Sequence, residues 1–580
     1  MRGVQDCVRV VALALVLWPT AAHAWQHGAE RSQPPRAWTT APLSPAEVPG
    51  WRADLRFLLA EMERIHPDLY HGIERDRLRA ELNALDQRLP GMAAHEIVVG
   101  VARIVALIGD GHTSLPLYFA GGVDFHVLPI RVGFYRDTLF VEAADRGLAG
   151  MIGGRVVAIG TTPIDSAVAR VASLIARDND QWIRAVAPNL LNRAEVLHAL
   201  RMSDRIDGAQ FTIERGGRRE THWITALPLA PRPAPGLPFL PRYSNEWVDA
   251  RDNAGTPVPV HQRSFPELYA LDPMPDRRLL YIGFHQVMNR HGDESALAFF
   301  QRAMNHAREQ AASFDRIVLD LRHNTGGDGS LLDPIVREIV RTREVDQPGR
   351  FFVLIGQRTF SAAMMLATQL DRYTSAMFAG EPTGSSPNSF GSHEIVHLPN
   401  IGIDVMVAPH YFQNGAPFDQ RPWIAPRLTV LPSFDDYAAN RDPLLDLVAS
   451  WDADRSLAQD IERDIARSDT AAALARIRRH DADPVNRYQS STSELNRLGY
   501  TLLRGGRTQD AITIFELNVR VHPDYANGWD SLGEALATAS ERERAIAAYE
   551  RAVALDPDNS NAREWLRRLR AGRETTDRSS

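Results

Sequence analysis

Between residues 279 and 450, short apolar runs alternate with helical stretches. The runs are Leu279 to Phe284, Ile317 to Leu321, Phe351 to Ile355 and Ala376 to Ala379, and the helical stretches are Glu294 to Ala311, Leu331 to Val340 and Ala362 to Leu370. A strand with no polar alternation is buried on both faces, which requires helices on both sides of its sheet. The expectation is an α/β core over residues 266–450. At 580 residues the chain is several domain lengths, so further units must flank that core. Its net charge of −7 supplies no basic field for nucleic acid or anionic lipid, and no nucleic-acid partner is expected.

The N-terminus places Arg2 before an apolar run, Val8 to Trp18, followed by Ala22-His23-Ala24. This is the arrangement of an export signal over residues 1–24, with cleavage before Trp25. Cys7, the only cysteine, would leave with it, so the mature chain is expected to be exported, periplasmic or secreted, without disulfides and without stable membrane insertion. A polar tether follows over 25–45. Residues 46–121 carry helical apolar spacing, as at Leu55, Leu58, Leu59 and Met62, broken by Gly109-Asp110-Gly111-His112-Thr113. Residues 122–230 read as β-rich, and Gly153 to Gly160 with Ile164-Asp165 resembles a PDZ-like module. A proline-rich linker is expected over 231–265.

The C-terminal part repeats at an interval of 34 residues. Leu498-Gly499 returns as Leu532-Gly533, Ala511-Ile512 as Ala545-Ile546, Phe515 as Tyr549 and Pro523-Asp524 as Pro557-Asp558. With Trp529 ahead of Leu532-Gly533, this resembles tetratricopeptide helix pairs over 491–573. Two units fall short of a self-sufficient stack, so a helix at 456–478 within a linker over 451–490, or the body of the upstream domains, is expected to cap them, with a tail at 574–580. A concave face on such a stack suits a peptide or protein partner; the bland alternative is an amphipathic bundle with no binding role.

Two segments of the α/β part carry chemistry. Ile317 to Leu321 runs through Arg322-His323-Asn324-Thr325 into Gly326-Gly327, where backbone amides can approach a substrate as an oxyanion hole requires. Phe352 to Ile355 runs through Gly356-Gln357-Arg358-Thr359-Phe360 to a helix beginning near Ser361. A serine there is either a nucleophile or no more than a helix cap.

Taken together, Asp320-Leu321-Arg322-x-Asn324-x-Gly326-Gly327, Thr359-x-Ser361-Ala362-Ala363 and Gly380-Glu381-Pro382-Thr383-Gly384 resemble the tail-specific, C-terminal-processing serine proteases. Gly109 to Thr113 is similar to the histidine loop of that family's tricorn-like branch. The resemblance covers residues 46–450 and implies a crotonase-like catalytic domain, an N-terminal helical cap and a PDZ-like insertion acting on protein or peptide substrates. It implies Ser361 as nucleophile, His112 as general base, and the amides of Gly327 (alternatively Gly326) and Ala362 as oxyanion donors. Many members use a lysine base, but this chain has no lysine and its 65 basic residues are all arginine. An arginine stays protonated and cannot accept the serine proton, whereas a neutral imidazole can. The acid behind His112 is expected to be Asp419, in a segment resembling the one where the branch places its glutamate, with Glu381 as the alternative.

His393-Glu394-x-x-His397 matches a zinc motif that works on a helix. Its β-branched centre between Gly391 and Pro399 predicts a strand instead, separating the two histidines by roughly 13 Å. No metal and no cofactor is therefore expected. Two other functions share these features: a serine hydrolase of non-peptide esters, and a catalytically weak scaffold binding partners through its PDZ-like and helical modules.

Overall fold

The computed structural model describes residues 38–117, 123–228, 246–451 and 457–577, except 266, 291 and 293. The expected signal segment, most of the tether and residues 231–245 of the expected proline-rich linker lie outside the described residues; the remainder of that linker carries strand Trp247–Asp249 and helix Val260–Arg263. The chain is a multidomain α/β protein with an all-helical, tetratricopeptide-like C-terminal region. Among the described residues no helix is long and apolar enough to cross a membrane.

The apolar runs form the predicted strands of one sheet. Leu279–Phe284, Arg316–Asp320, Phe351–Ile355 and Met377–Gly380 lie parallel and adjacent in that order. Tyr269–Met274 closes one edge antiparallel and Leu428–Thr429 the other edge parallel. Period-two alternation divides each strand between two cores. Leu280, Ile282 and Phe284 pack with helices Ala296–Glu309, Leu332–Arg341 and Ala362–Tyr373, while Leu279 and Tyr281 face helix Pro443–Ser450.

The N-terminal helices Val48–Ile65, Arg75–Arg88 and Ala94–Ala106 share a third core with an antiparallel sheet built on Ile130–Tyr135, Thr138–Asp145, Arg155–Ile159, Gly208–Arg215 and Arg218–Thr225. A hairpin from the α/β part, Glu394–Leu398 and Ile403–Val407, enters the same core. The buried Asp54 carboxylate fastens it, accepting from Asn400 N, Asn400 Nδ2 and Ile401 N at 2.7–2.8 Å. The segment Glu394–Leu398 is a strand, so His393 and His397 do not stand one helical turn apart.

In the C-terminal region the 34-residue signature has a packing cause. A Cβ at Gly499 would lie 2.5 Å from the Phe515 ring, and one at Gly533 would lie 2.9 Å from the Tyr549 ring. Each glycine thus lets the next helix seat its buried aromatic. Where one capping helix was expected, the structure has a helix pair, Leu457–Ala466 and Thr470–Ala482, whose Ile461, Ile465, Ala473 and Ile477 extend the core of the stack.

Candidate active site

Ser361 and His112, 249 positions apart, meet with Oγ and Nε2 3.0 Å apart. Two turns deliver the serine. Strand Phe351–Ile355 ends at Gly356, and the buried Thr359 hydroxyl accepts from Gly356 N and donates to Leu321 O, closing the loop against the neighbouring strand. Helix Ala362–Tyr373 starts at once, forcing Ser361 to φ 51° and ψ −127°. A positive φ at a non-glycine residue costs roughly 1–3 kcal/mol and persists only where the surroundings over-determine it. The side chain makes no cap bond to its own helix, so the reading of Ser361 as a mere N-cap fails.

The histidine loop is held from several directions. Ser114 exchanges backbone hydrogen bonds with Met406 at 2.9 Å, extending the hairpin strand, and the Thr113 hydroxyl accepts from Ala408 N. One oxygen of the buried Asp110 accepts from His112 N at 2.8 Å and Thr113 N at 2.6 Å, while the other meets His66 Nε2 at 3.2 Å. Burial opposes ionisation of Asp110, but the His66 bond and the two amides outweigh it and hold the carboxyl below its usual range. The His112 ring stacks on Phe360, with centroids 4.8 Å apart, and Phe360 stacks in turn on Trp182 at 4.3 Å.

Burial lowers the His112 pKa to about 4, against the opposing pull of Asp110. The imidazole is therefore neutral at pH 7, and Nε2 can take the serine proton when the ring proton sits on Nδ1. Nδ1 is buried without a hydrogen-bond partner among the described residues. The Phe390 carbonyl favours protonation of the ring, but its contact falls short of hydrogen-bond geometry at Nδ1.

Neither expected acid is bonded to His112. Asp419 spends its carboxylate on Arg421, accepting from its backbone N at 3.1 Å and its guanidinium at 2.8 Å, and Arg421 also reaches Asp371. The Arg421 bonds lower the Asp419 pKa. Glu381 accepts from Gln357 Nε2 at 2.7 Å, and burial raises its pKa. Asp110 is the carboxylate whose charge most favours a protonated His112, and it acts through space and through the loop backbone.

The glycine turn faces the serine. A Cβ on Gly326 would lie 2.6 Å from Ser361 Cβ and 2.8 Å from Ala362 N, an approach only glycine permits. The Gly326 amide donates to the Asn324 side chain at 2.9 Å, while Asn324 Nδ2 donates to Phe284 O, so this amide is spent on shaping the turn. The amides of Gly327 and Ala362 make no hydrogen bond among the described residues. Arg322 is structural, bonded to the buried Asp320 and to Asp442, which also meets His261.

Phe360, Trp182 and the carboxylate of Asp178, described below, belong to this site without having been singled out from sequence; Asn324 was named only as a motif position, and His66, which sequence offers as an ordinary polar histidine, is bonded to Asp110. Asp110 lay in plain view within the histidine loop, but its bond to His66 joins positions 44 residues apart with no motif linking them.

No protein-family profile matches the chain. Among solved structures, mature CPAF aligns over 70% of this chain and 97% of its own, at 14% identity and a TM-score of 0.47. The photosystem II D1 C-terminal processing protease aligns over 68% of this chain and 97% of its own, at 15% identity and a TM-score of 0.31. The Sgt2 TPR domain from Aspergillus fumigatus aligns over 21% of this chain and 80% of its own, at 18% identity and a TM-score of 0.16. The chloroplastic tetratricopeptide repeat domain-containing protein PYG7 of Arabidopsis thaliana is 34% identical over 68 residues, 12% of this chain. The chain spans 23% of that relative's length.

Proposed function

We propose that the protein is an exported serine protease that cuts peptide bonds with a Ser361–His112 dyad. The observation that carries this reading is the 3.0 Å contact between a neutral, buried imidazole and a serine held at a strained strand-to-helix turn. In this mechanism Ser361 Oγ attacks the scissile carbonyl while His112 Nε2 takes its proton. Negative charge develops on the carbonyl oxygen, and the amides of Gly327 and Ala362 stabilise it. The imidazolium returns its proton to the leaving amine, and a water activated by the same nitrogen releases the acyl group.

An imidazolium with no hydrogen-bonded carboxylate at Nδ1 is stabilised chiefly by the Asp110 charge, with a smaller contribution from the Phe390 backbone. In the same reading the α/β part is a crotonase-like core, the antiparallel sheet is a PDZ-like insertion, and the helical stack binds a peptide or protein partner. The test is labelling by a fluorophosphonate together with release of new amino termini from casein. Wild type should do both, and Ser361→Ala and His112→Ala neither. Hydrolysis of small esters without any cleavage of casein would move the substrate away from peptides, and no labelling of Ser361 would end the reading.

A further inference from the structure

Asp178 lies in the loop between helices Ile164–Ala172 and Gln181–Leu190, far in sequence from either dyad residue and outside every motif. One carboxylate oxygen accepts from Gly111 N at 2.8 Å, the amide next to His112. The other accepts from the hydroxyl of the fully buried Ser385. Ser385 belongs to the turn where Gly384 N donates to Thr359 O at 3.1 Å. That turn abuts the segment 356–359 so closely that a Cβ on Gly384 would lie 2.2 Å from Gln357 O. A single side chain therefore spans the loop that carries His112 and the turn that supports Ser361.

Its neighbours reinforce the span. Asn179 Nδ2 donates to Thr383 O at 3.2 Å and to Pro422 O at 2.7 Å, and Trp182 covers the Phe360 ring beside the serine.

We infer that Asp178 is a positioning residue for the dyad: a clamp by which the inserted β-rich unit fixes His112 against Ser361. The inference rests on the serine-hydrolase reading of that site. The clamp depends on hydrogen-bond geometry more than on charge. Burial raises the Asp178 pKa to about 6, with Asp110 the charged neighbour adding to the rise. A neutral side chain of the same shape can keep both contacts, because its carbonyl still accepts from Gly111 N and the Ser385 hydroxyl can turn to accept. Asparagine should accordingly substitute where alanine cannot.

The experiment compares wild type with Asp178→Ala, Asp178→Asn and Ser385→Ala in the full-length chain. Kinetics on a casein-derived peptide and amide hydrogen exchange of residues 109–113 are measured on each. A displacement of about 1 Å in a catalytic pair can cost about 10²-fold in rate. Asp178→Ala should lose about 10- to 100-fold in kcat with KM within about threefold, and should exchange faster at 109–113. Asp178→Asn should recover most of both losses, and Ser385→Ala, which removes only one end, should fall between. Unchanged exchange and kcat in Asp178→Ala, or an Asp178→Asn as impaired as the alanine variant, overturns the clamp. If Asp178→Ala fails to fold, Ser385→Ala decides by the same readouts. If wild type neither hydrolyses peptide nor labels at Ser361, the functional reading fails. The exchange comparison then still tests the clamp, since it needs no turnover.

Discussion

Replacing Gly326 by alanine tests whether the glycine turn and the serine are built as one object. The added Cβ would meet Ser361 Cβ at 2.6 Å, Ala362 N at 2.8 Å and Phe360 O at 3.0 Å. None of these atoms ends a flexible side chain, so no rotamer change relieves the overlap. Residue 326 also sits at φ 105°, where an L side chain is strained whatever the space around it. Backbone strain of about 1–3 kcal/mol and overpacking of about 1–3 kcal/mol together give a loss of about 2–6 kcal/mol in stability. Ordinary contact with Ser361 Cβ needs a retreat of about 1 Å, which by itself is worth about 10²-fold in rate. Urea denaturation and the second-order rate of fluorophosphonate labelling are the assays. Gly91→Ala is the control, since nothing lies within 4 Å of its added Cβ and its φ is not in the left-handed range. Gly326→Ala labelling within about threefold of wild type, with an unchanged urea midpoint, would show that the turn yields and that this steric reasoning is wrong.

Three further outcomes are expected. The acid limb of kcat/KM should fall near pH 4 rather than near 6.5, because burial depresses the His112 pKa and the basic form persists below the usual histidine range. Linked stability has the same sign: the contribution from His112 is complete above about pH 6.5 and is lost as pH falls toward 4, so a limb at 6 to 7 in protein that circular dichroism shows to be folded would refute the assignment. Asp419→Asn should leave kcat within about threefold and cost under about 1 kcal/mol, since its partner Arg421 is half exposed, whereas a 10²-fold loss would restore Asp419 as the relay acid. A chain ending at Trp451 should still label at Ser361 while losing about 1 kcal/mol of stability, because Val485 packs against the core beneath the sheet; a folded truncation that fails to label would place the helices in the site.

The parts of this fold legible in sequence are those whose signal is local. Continuous apolar runs announced the buried strands, the two glycines around Asp110 announced a loop, and Gly499 and Gly533 marked helix crossings that leave no room for a side chain. The helix pair before the repeats was legible only as one capping helix, because Asp464 and Ile465 stand 34 residues ahead of Leu498 and Gly499 and the leucine-glycine signature is missing there. The acid at 419 was placed by the resemblance of its segment. A residue two positions further on, Arg421, captures that carboxylate, and the geometry of that capture has no sequence pattern. Asp178 left no trace for the complementary reason: its partners Gly111 and Ser385 are 67 and 207 positions away.

Phe360 is buried in the core formed by the N-terminal helices and the antiparallel sheet, while Ala362 is buried in the core of the parallel sheet. The residue between them sits on the seam of these two cores. A chain in which both cores have formed but not docked holds a serine without a base and an imidazole without a nucleophile. On the proposed function, bringing nucleophile and base together closes a loop of 249 positions, so competence depends on contacts between the two cores and on neither core alone.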